Sequence, residues 1–200
     1  DMNLEDFLAR LMPAEISILN HDAVVAGTEL GALESLLGGI TTTLDMYYLP
    51  DAAQQVAERS GMRIFSAPNL LESDGPEPLA FDQRMEWSEQ WLQQAQSDDN
   101  DHLNWLAPHS TYLLGDSHLR RIAELAHTYG AHIHVHASET VGEMKLVANR
   151  HHGRTPIQVL ADTDLLTDAV LAHGVHLSDE DIELIADHHA SVTHYVRYFS

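Results

Sequence analysis

The sequence predicts an α/β protein, an incomplete TIM-type (β/α) barrel with about six of the eight βα units. Three observations predict it. Short β-type runs alternate with helix-period stretches, which is the signature of βα units around a parallel sheet. Six such runs occur in 200 residues, whereas a closed barrel has eight strands and typically about 250 residues. Most of these runs end in a polar side chain able to do chemistry, and in parallel barrels the working residues collect at the C-terminal ends of strands.

The elements follow in order. Val24 to Leu37 carries apolar residues at 24, 25, 30, 33, 36 and 37, a helical stripe closed by Gly38 and Gly39. Ile40 to Leu44, rich in threonine, reads as a strand ending at Asp45-Met46-Tyr47. Pro50 and Asp51 open the next helix and Gly61 closes it. Arg63 to Ala67 is a strand stopped by Pro68, and Leu71 to Pro78 a loop. Phe81 to Gln96 reads as a helix with Trp87 and Trp91 on one face, where packing is the plain explanation for both. After an acidic turn, His102 to Ala107 forms a strand ending at Pro108-His109. Ser117 caps a helix that runs to Tyr129, with Gly130 beyond it.

His132 to His136 is the next strand, followed by helices from Val141 to His151 and from Pro156. Ala169 to Ala172 is a strand ending at His173-Gly174. Ser178 caps a helix with acidic residues in its first turn, where the helix dipole favours them. Ser191 to Thr193 begins a last strand ending at His194. His151, His152, His188 and His189 sit near helix C-termini, where a partial positive charge is favourable without any further role. Residues 1–194 read as one partial barrel and residues 195–200 as a divergent tail.

Composition narrows the function. A formal charge of -21 argues against nucleic-acid and anionic-membrane partners, which need a basic face. No run of eighteen apolar residues is present, so the expected setting is cytoplasmic and the expected partner a small molecule. The absence of cysteine removes disulfides, thiolate nucleophiles and Cys-type zinc sites together. Any metal must be held by histidine and carboxylate, and fifteen histidines are available.

Their placement carries the argument. Asp45, His109, His136 and His173 each stand at a strand end, with His194 a further candidate. Asp45 reads more simply as a loop-ordering group than as a ligand. The sharpest local signal is His132-Ile-His-Val-His-Ala-Ser-Glu139. With period two, His132, His134 and His136 share one face of the strand. Three histidines facing a barrel interior either form a hydrogen-bonded polar layer or serve a site. On the second reading His136, nearest the strand end, binds a divalent metal through a neutral ring nitrogen. Glu139, in the following loop, then takes a proton from water and passes it to a leaving amine.

At this point the motifs resemble the amidohydrolase superfamily. They are Gly39-Ile-Thr-Thr-Thr-Leu-Asp45-Met-Tyr47, Ala107-Pro-His109-Ser-Thr-Tyr112, His136-Ala-Ser-Glu139-Thr and Ala172-His173-Gly-Val-His-Leu177. The group they are most similar to is that of 5-methylthioadenosine/S-adenosylhomocysteine deaminases and chlorotriazine hydrolases, with Leu4-Glu-Asp-Phe-Leu and Met12-Pro-Ala-Glu15 matching the segment after that group's first strand. The resemblance implies a metal-dependent hydrolase that deaminates a purine-type nucleoside or related amino-heterocycle. It implies His136 as the fifth-strand metal ligand, Glu139 as acid/base and His173 as hydrogen-bond partner of the attacking water or the tetrahedral intermediate. His109 and Glu15 would bind substrate, Glu15 at ribose hydroxyls. One divalent metal is implied, with zinc expected because imidazole suits it, and iron or manganese as alternatives.

Departures from the pattern are informative. The group's His-x-His pair on the first strand and aspartate on the eighth have no counterpart here. Reading His132 and His134 as that first-strand pair is excluded by Glu139 downstream and Pro108-His109 upstream. Tyr195 to Ser200 stands where the group has Asn-Pro-x-Ser-Asn, and Pro68 where its nucleoside deaminases use an arginine. The alternative expectation is therefore a catalytically incompetent amidohydrolase fragment, folded and self-associating through unpaired sheet edges.

Overall fold

A computed structural model describes residues 4–73, 75–98 and 100–194. The predicted tail after His194 lies outside the described residues. Among them seven strands occur in chain order: β1 (Thr42–Asp45), β2 (Arg63–Ser66), β3 (Asn69–Leu70), β4 (Trp105–Pro108), β5 (His132–Ala137), β6 (Val170–His173) and β7 (Ser191–His194). Every pairing is parallel. β1 pairs with β2, and β3 to β7 form a five-stranded sheet in sequence order. This is the α/β, parallel, partial-barrel architecture that the alternating pattern predicts.

The extra strand has a simple origin. Pro68 has no N–H to give to a ladder, so one stave breaks there. Its first half, β2, pairs with β1, and its second half, β3, pairs with β4. The sequence reading stopped the strand at Pro68; in the structure the stave resumes one residue later.

Helices α1 (Leu4–Ile18), α2 (His21–Leu37), α3 (Pro50–Ser60), α4 (Phe81–Ser97), α5 (Asp116–Tyr129), α6 (Val141–Arg150), α7 (Pro156–Asp162) and α8 (Asp179–Asp187) connect the strands. Their ends follow local chemistry. Asn20, Thr140, Thr155 and Ser178 cap α2, α6, α7 and α8 by accepting a backbone N–H. Gly61 and Gly130 adopt the left-handed conformation that closes α3 and α5. Two predicted boundaries are corrected. His102 and Leu103 belong to a 3₁₀ turn, Asp101–Leu103, so the strand begins at Trp105. Helix α5 starts at Asp116 after Gly115, so Ser117 lies in the first turn and is not the cap.

The principal core lies between the five-stranded sheet and its helices, with Leu92, Leu106, Leu119, Ile122, Val135, Ile157, Leu160 and Leu171 at its centre. A smaller cluster of Ala32, Ala53, Val56, Met62 and Ile64 joins α2, α3 and β2. Here the predicted stripe on α2 fails in part. Val24 is buried, but Leu30, Leu33, Leu36 and Leu37 are exposed, Leu37 to 81%. Contact with α3 is made through small residues such as Ala32, which leaves the leucines on the outer side.

Charged groups tie the loops above the sheet. Arg84 on α4 is fully buried and donates to the backbone oxygens of Asn69 (3.2 Å) and Glu77 (2.8 Å), and to the Glu77 carboxylate at 3.5 Å. Glu77 in turn accepts from the Leu49 N–H at 2.6 Å, joining the loop after β3 to that after β1. Replacing Arg84 by Met leaves a buried carboxylate without its counter-charge. The expected loss is about 3–5 kcal/mol, measured by chemical denaturation.

Glu72 plays a similar part nearer the surface. Partial burial disfavours its charge, yet the Gly115 N–H, His118 and Arg150 outweigh that and hold its carboxyl down to about 2. A carboxyl depressed in the folded state contributes stability that is present above its unfolded value, 4.5, and is lost as pH falls through the folded value. Thermal midpoints should therefore fall as pH drops from 4.5 toward 2. The Glu72→Gln variant should start lower and fall less steeply over that interval.

Candidate active site

A cavity of about 850 Å³ opens at the C-terminal ends of the strands. Its wall runs from Asp45 and Tyr47 after β1, through Asn69, His109 and Tyr112, to His134, His136, His173 and Thr193, with Leu11, Met12 and Glu15 of α1 on the facing side. Parallel strands place their ends along one edge, so polar residues distant in sequence become neighbours.

The histidines form a contiguous group. The His109 and His136 ring centroids lie 4.7 Å apart, those of His136 and His173 5.3 Å apart and stacked, and those of His134 and His136 6.4 Å apart. The shared face predicted for His132, His134 and His136 holds for the last two, which line the cavity. His132 is instead exposed at the strand's entrance, against Trp105.

A backbone carbonyl orients the His136 ring. The His109 carbonyl oxygen accepts from the His136 N–H at 3.0 Å and lies 3.1 Å from His136 Nδ1. A carbonyl can only accept, so Nδ1 carries the proton and Nε2 keeps the lone pair a metal needs. A like contact recurs two strands on, where His194 Nδ1 donates to the His173 carbonyl at 2.9 Å.

Burial keeps the group neutral. Loss of hydration lowers His109 to about 3, with His136 and His173 nearby adding to the effect. His134 and His173 are lowered to about 4 for the same reasons. His136 is also pushed down by burial, against the opposing pull of its bond to His109. A neutral imidazole is the form that binds a divalent cation. Asp45, by contrast, is raised by burial and accepts a backbone bond from Tyr47, which agrees with a loop-ordering role.

Glu139 stands in the turn after β5, with its Oε1 3.6 Å from His173 Nε2. It does not itself line the cavity, whereas His173 does. Glu15 of α1 also lines the cavity and accepts from the Tyr47 hydroxyl at 2.5 Å. Burial and the Glu15 charge both raise the Tyr47 phenol, so it stays a donor. Thus Glu15, His109, His136 and His173 share one cavity, and Glu139 sits beside it. The sequence reading missed Tyr47 as the partner of Glu15, and Glu143, whose carboxylate accepts from the Ser138 and Glu139 N–H groups. A Thr-x-x-Glu capping signature at Thr140 to Glu143 was the signal for the latter.

The donor set fits a metal at His136. Among the described residues, however, no group of three or more His, Asp or Glu converges to hold one.

Comparison with known proteins places the chain. The profile of the amidohydrolase family matches residues 1–198. The chain belongs to the amidohydrolase family. A 5-methylthioadenosine/S-adenosylhomocysteine deaminase of Symbiobacterium thermophilum is 36% identical over 200 residues, which is 97% of this chain and 44% of that protein. This amidohydrolase chain thus spans less than half the length of that relative. A zinc-bound adenosine deaminase of Xanthomonas campestris superposes with a TM-score of 0.88 at 24% identity, over 97% of this chain and 44% of the other. A triazine hydrolase variant superposes with a TM-score of 0.86 at 18% identity, over 98% of this chain and 48% of the other. These two superpositions establish the fold of the amidohydrolase chain as the corresponding part of a longer barrel protein.

Nitrogen-15 spectra of histidine-labelled protein test the ring geometry. At neutral pH His136 should appear as the neutral Nδ1–H tautomer, and His109→Gly should leave that tautomer unchanged, because the acceptor is backbone.

Proposed function

We propose that this chain carries the fifth- to seventh-strand part of a metal-dependent deaminase site acting on a purine-type nucleoside. The observation that carries the reading is the pairing of a neutral His136, its Nδ1 fixed by the His109 carbonyl, with the Glu139–His173 pair at the adjacent strand end. The Symbiobacterium thermophilum relative supports it, being a 5-methylthioadenosine/S-adenosylhomocysteine deaminase. Zinc is the metal the reading assigns, with His136 as one ligand. The remaining ligands come from outside the described residues. A divalent cation at such a site lowers the pKa of water toward neutrality.

The chain's own residues supply the rest. Glu139 accepts a proton from the attacking water and delivers it to the departing amine nitrogen. The water oxygen bonds to the ring carbon, the carbon–nitrogen bond breaks, and ammonia leaves. His173 hydrogen-bonds the oxygen on which charge develops. His109 contacts the ring, and Glu15 accepts from ribose hydroxyls. The partner is a small molecule and the setting cytoplasmic; no described helix is long and apolar enough to cross a membrane.

One observation favours a second reading. β1 and β7 are sheet edges among the described residues, and Leu30, Leu33 and Leu37 of α2 are exposed beside the first. Unpaired edges and apolar faces favour assembly. On that reading the chain is a folded amidohydrolase fragment that self-associates without catalysis.

Elemental analysis of the dialysed chain separates the two. The deaminase reading expects about one zinc per chain, and Glu139→Gln should then keep the metal while slowing deamination by about a hundred- to ten-thousandfold. Metal near zero, with a sedimentation coefficient above that of a monomer, would favour the fragment.

A further inference from the structure

The turn that carries Glu139 is held by a carboxylate with no role in the chemistry above. Glu143 lies in the first turn of α6 and is only 2% exposed. Its Oε1 accepts from the Ser138 N–H at 3.1 Å, and its Oε2 from the Glu139 N–H at 2.6 Å. The Thr140 N–H contributes a third backbone bond. In an ordinary capping box the third-position carboxylate reaches only the N-cap N–H. Here it reaches back two residues further, so three successive amides converge on one carboxylate as in an anion-binding nest. Ser138 adopts a φ of 58°, the left-handed conformation that such a nest requires and that a serine does not favour by itself.

The other side of the turn is equally committed. The Ser138 carbonyl accepts from the Val175 and His176 N–H groups at 2.8 and 2.9 Å, and that of Ala137 from Gly174 at 3.0 Å. These donors directly follow His173, itself at a φ of 83°. The Glu143 carboxylate and the segment after β6 therefore grip one peptide turn from opposite sides. That turn sets the 3.6 Å approach of Glu139 to His173.

We propose that Glu143 is a positioning residue: its buried carboxylate fixes the left-handed turn at Ser138 and so aims Glu139 at His173. This rests on reading Glu139 as the proton carrier, and the first measurement below does not depend on that reading. Glutamine at this position keeps the size of the side chain and one acceptor oxygen. It sets an amide NH₂ against one of the backbone N–H groups, so at least one bond is lost.

Residue-resolved amide exchange of the full chain and of Glu143→Gln is the test. Exchange at Ser138 and Glu139 should rise about tenfold or more in the variant, while Val135 and Leu171 in the neighbouring strands stay as protected as in the parent. Unchanged exchange at 138 and 139 would overturn the inference. A uniform rise across the sheet would overturn it too, since Glu143 would then serve only overall stability. Should the glutamine variant not fold, Glu143→Asp, which keeps the charge but shortens the reach, is measured in its place with the same expectations. Where the chain deaminates, Glu143→Gln should lower kcat about tenfold with KM unchanged. Increased exchange at the turn in a chain without deaminase activity would uphold the positioning and remove the functional reading alone.

Discussion

Two imidazoles at the mouth of this barrel, His136 and His194, take their direction from the carbonyl at the end of the preceding strand. The His109 oxygen serves both the backbone N–H and the ring Nδ1 of His136, and the His173 oxygen serves the ring of His194. In the middle of a parallel sheet a carbonyl is occupied by its ladder. At the C-terminal edge the ladder runs out and the acceptor becomes available to a side chain. Histidine is suited to the position because one nitrogen satisfies the backbone while the other faces the cavity. The tautomer and ring plane of His136 thus follow from the sheet edge, whereas its low basicity comes from burial, which the same bond opposes.

Desolvation then acts on an arrangement already fixed. Burial disfavours protonation of His109, His134 and His173, and His136 lies close enough to each of them to work in the same direction. A cluster of this kind in an apolar interior is costly to charge and has no cation of its own to bind a carboxylate. It is an unusual choice for packing alone, because each ring needs a polar partner that leucine would not. Of the three histidines on that strand, only His134 and His136 take part in the cluster, since His132 is exposed at the strand's entrance.

Much of this was legible because period and punctuation are local. The strand positions, the helix closures at Gly61 and Gly130 and the strand-end residues Asp45, His109, His136 and His173 all rest on spacings of a few residues. What was less legible depends on partners distant in sequence. Nothing near Pro68 says that the stave resumes at Asn69, since that is decided by pairing with β4. The outward turn of the α2 leucines is set by which side of the helix α3 occupies, and Ala32 gives only a faint hint of it. His151 is the clearest case. Its place at a helix end suggested no more than a dipole contact, yet it is buried and bonded to Asp116 and to the Thr111 carbonyl, across a loop that no local pattern connects.

The charge of the cavity wall bears on what the deaminase reading can accommodate. Its described lining residues include Glu15 and Asp45 but neither lysine nor arginine. A phosphate or a free carboxylate entering such a cavity would lose hydration and meet like charge, with no guanidinium to offset either. Arg84, although close to that side, is spent on Asn69 and Glu77. Glu15 is an acceptor already oriented by Tyr47, so it suits a ligand that brings hydroxyl donors. The neutral imidazoles opposite suit an uncharged ring. The described wall thus offers an oriented carboxylate acceptor and imidazoles whose charged form burial disfavours, and no lysine or arginine.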